Sequence, residues 1–558
     1  MKSKKSIVSA LMSVVLLLSL FAFVPSASAA SNMQTYVSAM QPGWNLGNSL
    51  DATGPDETSW GNPVVTQAFI QQIAAQGFKS IRIPVTWVQH TGPASSYTVD
   101  PTWMSRVQQI VDWSLNAGLY VMINVHHDSW QWVNTMDTNH DQVVAEYTAI
   151  WTQIANNFKN YSNKLMFESI NEPFFGNHLA ATTQLSLLNE LNTDFFNIVR
   201  GTGGANATRP LVLPTLSTNA SQQYLDSLNS TIANLNDSNI IATIHFYGFW
   251  PFSVNIAGYT KFESDTINDI TTSVDAVYNT FVAKGIPVVV GEYGLLGFDS
   301  GPGTVEHGEM LKYFEYFLQY AKSKSVTHML WDNGSQFNRT TYQWSDPDIY
   351  NIIKQSLTGR SSTADTDLIF QKSGSAVTDA SLALNLNGNS FVSLKNGTTT
   401  LKSGRDYTLS GSTLTVKSSY LSKLTSGALG EKAVLTANFN SGPAWKIHVR
   451  YYNTPVLQSA SGVTSGFAIP AAFNGDQLAT MEAVYAAGGN AGPHNWTSYK
   501  QFNYSFAPDY TNNQITLTSN FFNETTDGTV ILTLHFWSGQ IVKYTIVKSG
   551  TSVTGTAQ

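Results

Sequence analysis

Cysteine is absent from the chain, and charged residues are few. Because none of the 558 residues is Cys, disulfides, thiolate nucleophiles and Cys-ligated zinc or iron–sulfur sites are excluded. Charged residues make up 12% of the chain, and the 37 acidic residues outnumber the 30 basic ones. Nucleic-acid binding needs clustered Lys and Arg to neutralise phosphates, so we expect no nucleic-acid partner. The content of hydrophobic residues, 42%, also excludes a disordered chain.

The first 29 residues have the three regions of a secretory signal peptide. Lys2, Lys4 and Lys5 precede an apolar run over residues 7–24, and the small residues 27–29 follow as a cleavage site. A transmembrane anchor is the alternative, but the run is short and is interrupted by serine. No later stretch is long and apolar enough to span a membrane. We therefore expect a secreted protein that has no membrane partner once the signal peptide is cleaved. We also expect it to be a monomer.

Between residues 33 and 357, short apolar runs alternate with amphipathic stretches. Apolar residues recur at helical spacing over 104–115 and 267–281, before Gly118 and Gly285, which suit helix C-termini. Eight strand–helix units of this size predict a (β/α)₈ barrel, an α/β fold. An open doubly wound sheet is the alternative, although the Gly-x-Gly-x-x-Gly of a dinucleotide site does not follow the first run. The eight strand-like runs are 43–47, 80–85, 120–125, 164–170, 210–213, 240–246, 286–290 and 326–331.

The pattern changes after Leu357. Residues 358–366 are small and polar without periodicity, which predicts a linker. Residues 367–454 form short alternating stretches with turn signals such as Asn387-Gly388, which predicts an immunoglobulin-like module that is stable without a disulfide. Residues 457–551 have the same β character and predict a second sandwich. We therefore expect a barrel followed by two all-β sandwich modules.

Polar residues end the apolar runs, which is where a (β/α)₈ barrel carries its active site. Glu172 ends the fourth run and Glu292 the seventh, and these two strands face each other across a barrel mouth. A single Glu at such a position is often only an ion-pair partner. Two together match glycosidic cleavage, in which one carboxyl protonates the leaving oxygen and the other attacks the sugar or activates water. The other strand-end residues are Asn45, Arg82, His126, His127, Asn171, His245, Tyr247 and Trp331.

The neighbours of the two Glu residues suggest different pKa values. We expect Arg82 and Tyr247 to hydrogen-bond Glu292 and keep it ionised, and Glu172 to stay protonated in a drier setting. Structural pairing of Arg82 inside the barrel is an equal alternative, since both interpretations place a carboxylate beside it.

The His126-His127-Asp128 segment raises the alternative of a hydrolytic metal site. Neighbouring side chains of a strand point to opposite faces, so both rings could bind one ion only if the strand had already ended. His-Glu-x-x-His is absent, and so is the Gly-x-Ser-x-Gly of a serine hydrolase. We expect neither metal nor cofactor.

Tryptophans in predicted strand-to-helix loops are candidates for sugar-stacking platforms, because their apolar faces suit sugar rings. In the barrel these are Trp130, Trp132, Trp250 and Trp331. In the last module they are Trp496, which lies in a polar segment, and Trp537, for which core packing is an equal alternative.

Taken together, these motifs resemble glycoside hydrolase family 5, in particular its endoglucanase and xyloglucanase branch. The resemblance covers residues 33–357 and rests on Gly43–Asn48, Asn171-Glu172-Pro173, residues 245–247 and 291–294, with Arg82, His126, His127 and Trp331. It implies that Glu172 is the acid/base and Glu292 the nucleophile of a retaining endo-β-1,4-glucanase without metal. It further implies that Asn171 binds the sugar 2-hydroxyl. His126, His245 and Tyr247 would line the cleavage subsite, Trp331 would stack beneath its sugar, and His127 would contact substrate or support the wall.

The C-terminal half also resembles known modules. Residues 363–453 resemble the immunoglobulin-like module of bacterial cellulases, and residues 457–551 resemble carbohydrate-binding module family 46. We hypothesise that the last module folds back and extends the cleft, so that Trp496 or Trp537 touches polysaccharide. For this module the alternatives are an independent binder or a spacer. For the whole protein the alternative is a non-catalytic barrel that only binds polysaccharide. Within the enzyme class, xyloglucan, lichenan or mannan could replace cellulose as the preferred substrate.

Overall fold

The structure, a computed structural model, describes residues 32–297, 301 and 303–558. The segment 1–29, predicted as a signal peptide, lies outside the described residues. Within them, eight parallel strands close into a barrel in sequence order, which confirms the predicted (β/α)₈ fold over the open sheet. The strands are β1 (Gly43–Asn45), β2 (Ser80–Ile83), β3 (Tyr120–Asn124), β4 (Leu165–Glu168), β5 (Leu211–Pro214), β6 (Ile240–Phe246), β7 (Val288–Tyr293) and β8 (Thr327–Leu330).

Amphipathic helices surround the barrel and bury their apolar faces against it. The helix Pro101–Asn116 shows the local signals: Asp100 accepts a hydrogen bond from the amide of Thr102, proline occupies the first turn, and Gly118 follows with φ of 86°. The stretch predicted over 267–281 is a helix over Ser264–Thr280, and Gly285 closes the 3₁₀ turn Val282–Lys284 behind it. The other long helices are Gln67–Ala75, His140–Phe158, Ala181–Gly201, Gln222–Leu235, His307–Ser323 and Pro347–Ser356.

Shorter helices lie in the connections. The helix Asn32–Ala39 packs with barrel residues such as Met122, Met166 and Met329 in one apolar cluster, which fills the N-terminal end of the barrel. The mouth at the C-terminal ends of the strands is therefore the end available for a site.

None of the described helices is both long and apolar enough to cross a membrane. The remaining α-helices are Asp128–Gln131, Trp250–Ser253, Ser418–Leu424 and Ser519–Asn523, and the remaining 3₁₀ turns are Val88–His90, Val133–Thr135, Gly204–Ala207 and Leu216–Thr218.

Two sheets form the second module. One has the order β10-β17-β16-β12-β13 and the other the order β14-β15-β11-β9. The linker prediction over 358–366 is partly wrong, because Thr363–Ala364 (β9) pairs with β11. Arg360 in the same segment binds Glu315 of the barrel. The other strands are β10 (Leu368–Lys372), β11 (Ala380–Asn385), β12 (Phe391–Asn396), β13 (Thr399–Thr400), β14 (Tyr407–Ser410), β15 (Thr413–Val416), β16 (Gly430–Phe439) and β17 (Trp445–Tyr452).

The third module is a β-sandwich with its own apolar core. Its antiparallel strands follow the order β21-β24-β25-β26-β19-β20-β23-β22, and β18 pairs with β20. Alternating burial along β24, where every second side chain is buried, explains the alternating apolar residues of that segment. The strands are β18 (Val456–Leu457), β19 (Ala460–Val463), β20 (Gly466–Ala472), β21 (Leu478–Tyr485), β22 (Phe506–Asp509), β23 (Gln514–Thr518), β24 (Gly528–Phe536), β25 (Ile541–Ser549) and β26 (Ser552–Ala557).

The third module docks on the barrel loops that follow β6 and β7. The side-chain amide of Asn255 donates to the carbonyl of Ala479 over 2.9 Å, and the amide of Phe502 donates to the carbonyl of Asn255. Asn503 donates to the hydroxyl of Thr304 over 2.6 Å. The last module therefore folds back on the mouth side of the barrel.

Candidate active site

The two carboxyls singled out in the sequence meet at the mouth of the barrel. Glu292 lies on β7 and Glu172 lies four residues beyond the end of β4. One oxygen of each, together with a ring nitrogen of His245 at the end of β6, lies within 4.8 Å of the others. A pair of carboxyls this close can act on the two sides of one bond.

Both oxygens of Glu292 are held by hydrogen-bond donors. Arg82 on β2 donates from Nη1 to Oε1 over 2.7 Å, and the hydroxyl of Tyr247 donates to Oε2 over 2.6 Å. The prediction that these two residues bind Glu292 is confirmed. The guanidinium fixes the direction of the carboxylate, since its donors have a rigid planar geometry.

Arg82 also has the structural role that the sequence left as an alternative. Its Nε donates to Glu168 on β4 over 2.8 Å, its Nη2 donates to the side-chain oxygen of Asn171 over 2.8 Å, and its Nη1 also reaches Asn45. Arg82 and Asn45 are fully buried. They therefore act through the groups they hold and lie beneath the cleft surface. Sequence reasoning missed Glu168, because an acid inside an apolar strand gives no signal that separates it from a chance ion pair.

His245 lies between the two carboxyls. Its Nδ1 is 2.8 Å from Oε1 of Glu172 and 3.5 Å from Oε2 of Glu292. Burial lowers the pKa of His245, but the charge of Glu292 and the contact with Glu172 outweigh burial and raise it above its ordinary value. Burial raises the pKa of Glu172, but the hydrogen bond with His245 and its charge outweigh this and lower it.

The expectation of a dry, protonated Glu172 is therefore wrong for the free protein. The side chain of Glu172 is 46% exposed, and the raised pKa of His245 with the lowered pKa of Glu172 favours the imidazole over the carboxyl as the site of a proton. Glu172 also adopts φ of 41°, a left-handed conformation that is uncommon for Glu. The amide of Asn171 before it is held by Val125, and the carbonyl of Pro173 after it accepts from Ser217, so the backbone on both sides fixes this conformation.

Trp331 and His126 form an aromatic wall beside the carboxyls. Their rings are parallel, with an interplanar angle of 4° and centroids 6.1 Å apart. A Cβ at Gly47 would lie 2.8 Å from the Trp331 ring, so only glycine fits there. Asn124 donates to Nδ1 of His126 over 3.0 Å, and burial with neighbouring positive charge holds its pKa well below the ordinary value. His126 is therefore neutral, with its ring proton on Nε2.

His126 and His127 lie together, which the argument from strand alternation did not expect. β3 ends at Asn124, so both rings lie beyond the strand, with centroids 4.4 Å apart. They form a group with Asp51 whose possible ligand atoms lie within 4.8 Å of one another. Hydrogen bonds already use part of this donor set, because both oxygens of Asp51 accept from backbone amides and Nδ1 of His127 accepts from Trp130. Two further groups have metal-compatible spacing: Glu172 with His245 and Glu292, and His307 with Asp346 and Asp348.

The family to which the chain belongs follows from comparison with known proteins. The model described as Cellulase (glycosyl hydrolase family 5) matches residues 47–337, which make up more than half of the chain. The chain belongs to glycosyl hydrolase family 5. The glycosidic cleavage inferred from the two Glu residues, and the endoglucanase type implied by the family resemblance, are confirmed by this match together with similar endoglucanases. Models described as Carbohydrate binding domain X2 and Carbohydrate binding domain match residues 363–449 and 453–556, the latter in module family 46.

Some known endoglucanases are similar to almost the whole of this family 5 chain, and others are similar to its barrel alone. Endoglucanase B of Paenibacillus lautus is 62% identical over 95% of each chain. The structure of a full-length tri-modular endo-β-1,4-glucanase B from Bacillus halodurans superposes with a TM-score of 0.93 at 52% identity, covering 95% of this chain and all of that one. A xyloglucan-specific endo-β-1,4-glucanase from a metagenomic library, solved with cellotriose, has a TM-score of 0.51 at 32% identity, covering 57% of this chain and 96% of that one.

A second aromatic surface of the family 5 barrel lies around His127. Trp60, 40% exposed, packs 5.1 Å from the His127 ring, and Trp130, 52% exposed, packs 5.4 Å from it. Sequence reasoning singled out Trp130 and missed Trp60. Trp60 follows the first strand in a polar segment with Gly61, so the rule applied to Trp130 would have found it too.

The other four candidate tryptophans differ in environment. Trp132 is half-buried and donates to Asp128 over 2.9 Å, so it supports its loop. Trp250, 39% exposed, packs 5.5 Å from the ring of His494 in the last module. Trp496, two residues further on, is 60% exposed. Trp537 is half-buried and lines a cavity of about 810 Å³ between the three modules.

Proposed function

We propose that this family 5 enzyme is a secreted, monomeric, retaining endo-β-1,4-glucanase that cleaves internal bonds of cellulose and related β-glucans. The observation that supports retention of the anomeric configuration is a distance: an oxygen of Glu172 and an oxygen of Glu292 lie within 4.8 Å of each other. Retaining glycosidases hold their two carboxyls about 5–5.5 Å apart, whereas inverting enzymes leave roughly 6.5–9.5 Å for a water molecule. Secretion is supported by the signal-peptide pattern of residues 1–29.

The first step of the proposed reaction forms a covalent intermediate. An oxygen of Glu292 attacks the anomeric carbon as the bond from that carbon to the glycosidic oxygen breaks. Glu172 delivers its proton to that oxygen, and the leaving glucan departs with a new hydroxyl. In the second step Glu172 takes a proton from water, the resulting oxygen attacks the anomeric carbon, and the ester to Glu292 breaks. Two displacements return the original anomeric configuration.

In the first step, His245 supplies to Glu172 the proton that Glu172 then donates to the glycosidic oxygen. The pKa of His245 is raised and that of Glu172 is lowered, so in the free enzyme a shared proton favours the imidazole, whose Nδ1 is 2.8 Å from Glu172. A sugar ring that covers the exposed part of Glu172 removes water from the carboxylate, which favours its neutral form. The proton can then move along the existing hydrogen bond without a contribution from solvent.

We expect replacement of His245 with Asn to shift the basic limb of the pH profile to lower pH. In the wild type the pair loses its proton only as the pH rises through the raised pKa of His245. In the variant the proton must lie on Glu172 alone, whose carboxyl loses it at lower pH. The measurement is kcat/KM for cellotetraose from about pH 4 to about pH 9. An unchanged basic limb would remove His245 from the proton path.

The proposed subsites follow from the same contacts. Asn171 uses its side-chain oxygen on Arg82, so its amide N–H groups are oriented away from the guanidinium and are suited to donate to the sugar 2-hydroxyl. Trp331 offers a ring face to the sugar at the cleavage position, and His126 offers Nε2–H. The Trp60–His127–Trp130 surface extends the aromatic wall and suits a sugar further along the chain.

The last module is proposed to extend the cleft toward polymeric substrates. Its His494 lies against Trp250, three residues beyond Tyr247. Trp496 is carried by the same loop and is mostly exposed, as a polysaccharide contact requires. Trp537 faces the cavity between modules, and we assign it to the junction. A similar barrel is named as xyloglucan-specific, which favours a branched glucan as one of the substrates.

The proposed function predicts hydrolysis of carboxymethylcellulose, xyloglucan and lichenan in the presence of EDTA. Trp496→Ala is expected to lower kcat/KM on xyloglucan by about fivefold, the size of one aromatic contact, and to leave cellotetraose unchanged. Trp445→Ala, a buried replacement in the middle module, controls for general destabilisation. Equal loss on both substrates would exclude a contact between Trp496 and polymer. Binding of glucan without release of reducing ends would make the barrel a scaffold, and faster release from mannan would make it a mannanase.

A further inference from the structure

One buried lysine, Lys500, holds the loop that contains Trp496. We call residues 493–497 the Trp496 loop. The ammonium of Lys500 donates to the carbonyl of Pro493 over 3.0 Å and to the carbonyl of Thr497 over 2.9 Å. Lys500 therefore holds both ends of the loop, and its own backbone amide is fixed to the carbonyl of Met481 on β21.

The other hydrogen bonds between side chains and the loop come from residues without a fixed positive charge. Asn490 donates to the carbonyl of Asn495 over 2.8 Å, and the ring of His494 exchanges a hydrogen bond with Gln501 over 3.1 Å. Hydrogen bonds between neutral groups are roughly half as strong as those from a charged donor. Lys500 thus provides the strongest donor among the described contacts of this loop.

Burial of Lys500 works against the stability of the module. The side chain is fully buried, and among the described residues its ammonium makes no ion pair with a carboxylate. Burial lowers the pKa of Lys500 to about 8, and the charge of Glu524 offsets only part of this. A buried cation whose partners are neutral carbonyls costs free energy that an apolar side chain of similar length would not. A group retained at such a cost is a candidate for a function other than stability.

We propose that Lys500 is a positioning residue for hydrolysis of polymeric glucan: it fixes the Trp496 loop so that His494 packs on Trp250 while Trp496 faces the substrate. This inference rests on the proposed glucanase function. Lys500 touches no substrate itself. It acts through the two carbonyls that it holds, since their positions determine where the loop places its rings.

A double-mutant cycle tests the proposal in the full-length protein. The variants are Lys500→Met, Trp496→Ala and the combination, each measured for kcat/KM on xyloglucan and on cellotetraose. We expect Lys500→Met to lower kcat/KM on xyloglucan by about fivefold, as Trp496→Ala does. The double variant should lose no more than either single variant, because both remove the same contact. Each variant should lose less activity on cellotetraose than on xyloglucan.

The melting temperature separates positioning from folding. Lys500→Met removes a buried charge and keeps most of the volume, but it leaves the carbonyls of Pro493 and Thr497 without their donor. We therefore expect a smaller drop in melting temperature than a cavity in the core would cause. Leu532→Ala, which opens a cavity in the same module, should melt lower and leave the ratio of the two activities unchanged.

Four results would overturn the role of Lys500: equal losses on both substrates, losses that multiply in the double variant, a Lys500→Met protein with wild-type activity on xyloglucan, or a Trp496→Ala protein with that activity. Failure of the wild type to hydrolyse cellotetraose is a different result. It would overturn the glucanase function itself and this inference with it.

Discussion

Replacing Glu292 with Gln is expected to lower the rate of glucan hydrolysis by about 10⁴-fold or more, the size of loss seen when an enzyme loses its nucleophile. Glutamine keeps the volume of the side chain but cannot form the glycosyl ester. Arg82 and Tyr247 donate to different oxygens of Glu292; in the variant the amide oxygen can accept from Arg82, and the amide NH2 can donate to the hydroxyl oxygen of Tyr247. The measurement is kcat on cellotetraose, together with the anomer of the first product by NMR in the wild type.

Glu172→Gln is the matched control, because it should fail in a different step. Loss of the acid is expected to cost about 10²–10⁴-fold on cellotetraose. A dinitrophenyl cellobioside needs no proton on its leaving group, so this variant should release dinitrophenol in a burst as the glycosyl-enzyme accumulates. Glu292→Gln should give no burst. A burst from Glu292→Gln, or inversion of the anomeric configuration, would contradict the double displacement.

The second large effect is expected from Arg82→Met, which should lower the free energy of unfolding by about 3–5 kcal/mol. The fully buried guanidinium binds Glu168 and Glu292 at once, and its removal leaves two carboxylates without their cation. The folded fraction should also lose activity, because the side chains of Glu292 and Asn171 lose the donor that fixes their orientation. Urea unfolding followed by Trp fluorescence measures the first effect, and kcat below the transition measures the second.

Arg209→Met is the matched control for a buried arginine. Arg209 is also fully buried, but it donates to backbone carbonyls such as those of Phe158 and Leu165, ahead of and at the first residue of β4. This variant should be destabilised and keep its kcat in the folded state. If the two arginine variants lost kcat equally, the role of Arg82 in aiming the carboxylate would be wrong.

The repeating parts of the fold could be predicted from the sequence because each is a local property. Apolar runs with the length of buried strands, and helices with a polar and an apolar face, identify a barrel without knowledge of any contact. Glu172 and Glu292 could be predicted for the same reason: in a parallel barrel, every residue at the end of a strand lies at the mouth.

The environments of these residues could not be predicted, because they depend on groups far apart in the chain. The pKa of Glu172 is set by His245, 73 residues away in sequence, and only the folded barrel shows that the imidazole outweighs burial. The same holds for His126 and His127, whose rings meet because β3 ends at Asn124, before either histidine. A buried partner such as Glu168 carries no signal in its own segment.

The sequence by itself determined the three modules, the barrel, and the two carboxyls with most of the polar groups around them. These features could be predicted because periodicity and strand ends are properties of consecutive residues. Only the tertiary structure decided which groups act directly and which act through others. In the folded protein Arg82 and Asn45 are buried, Trp60 and Trp496 are exposed, and Trp537 lies between the modules. Such differences arise from packing between distant segments, where burial and charge at one residue depend on all of its neighbours.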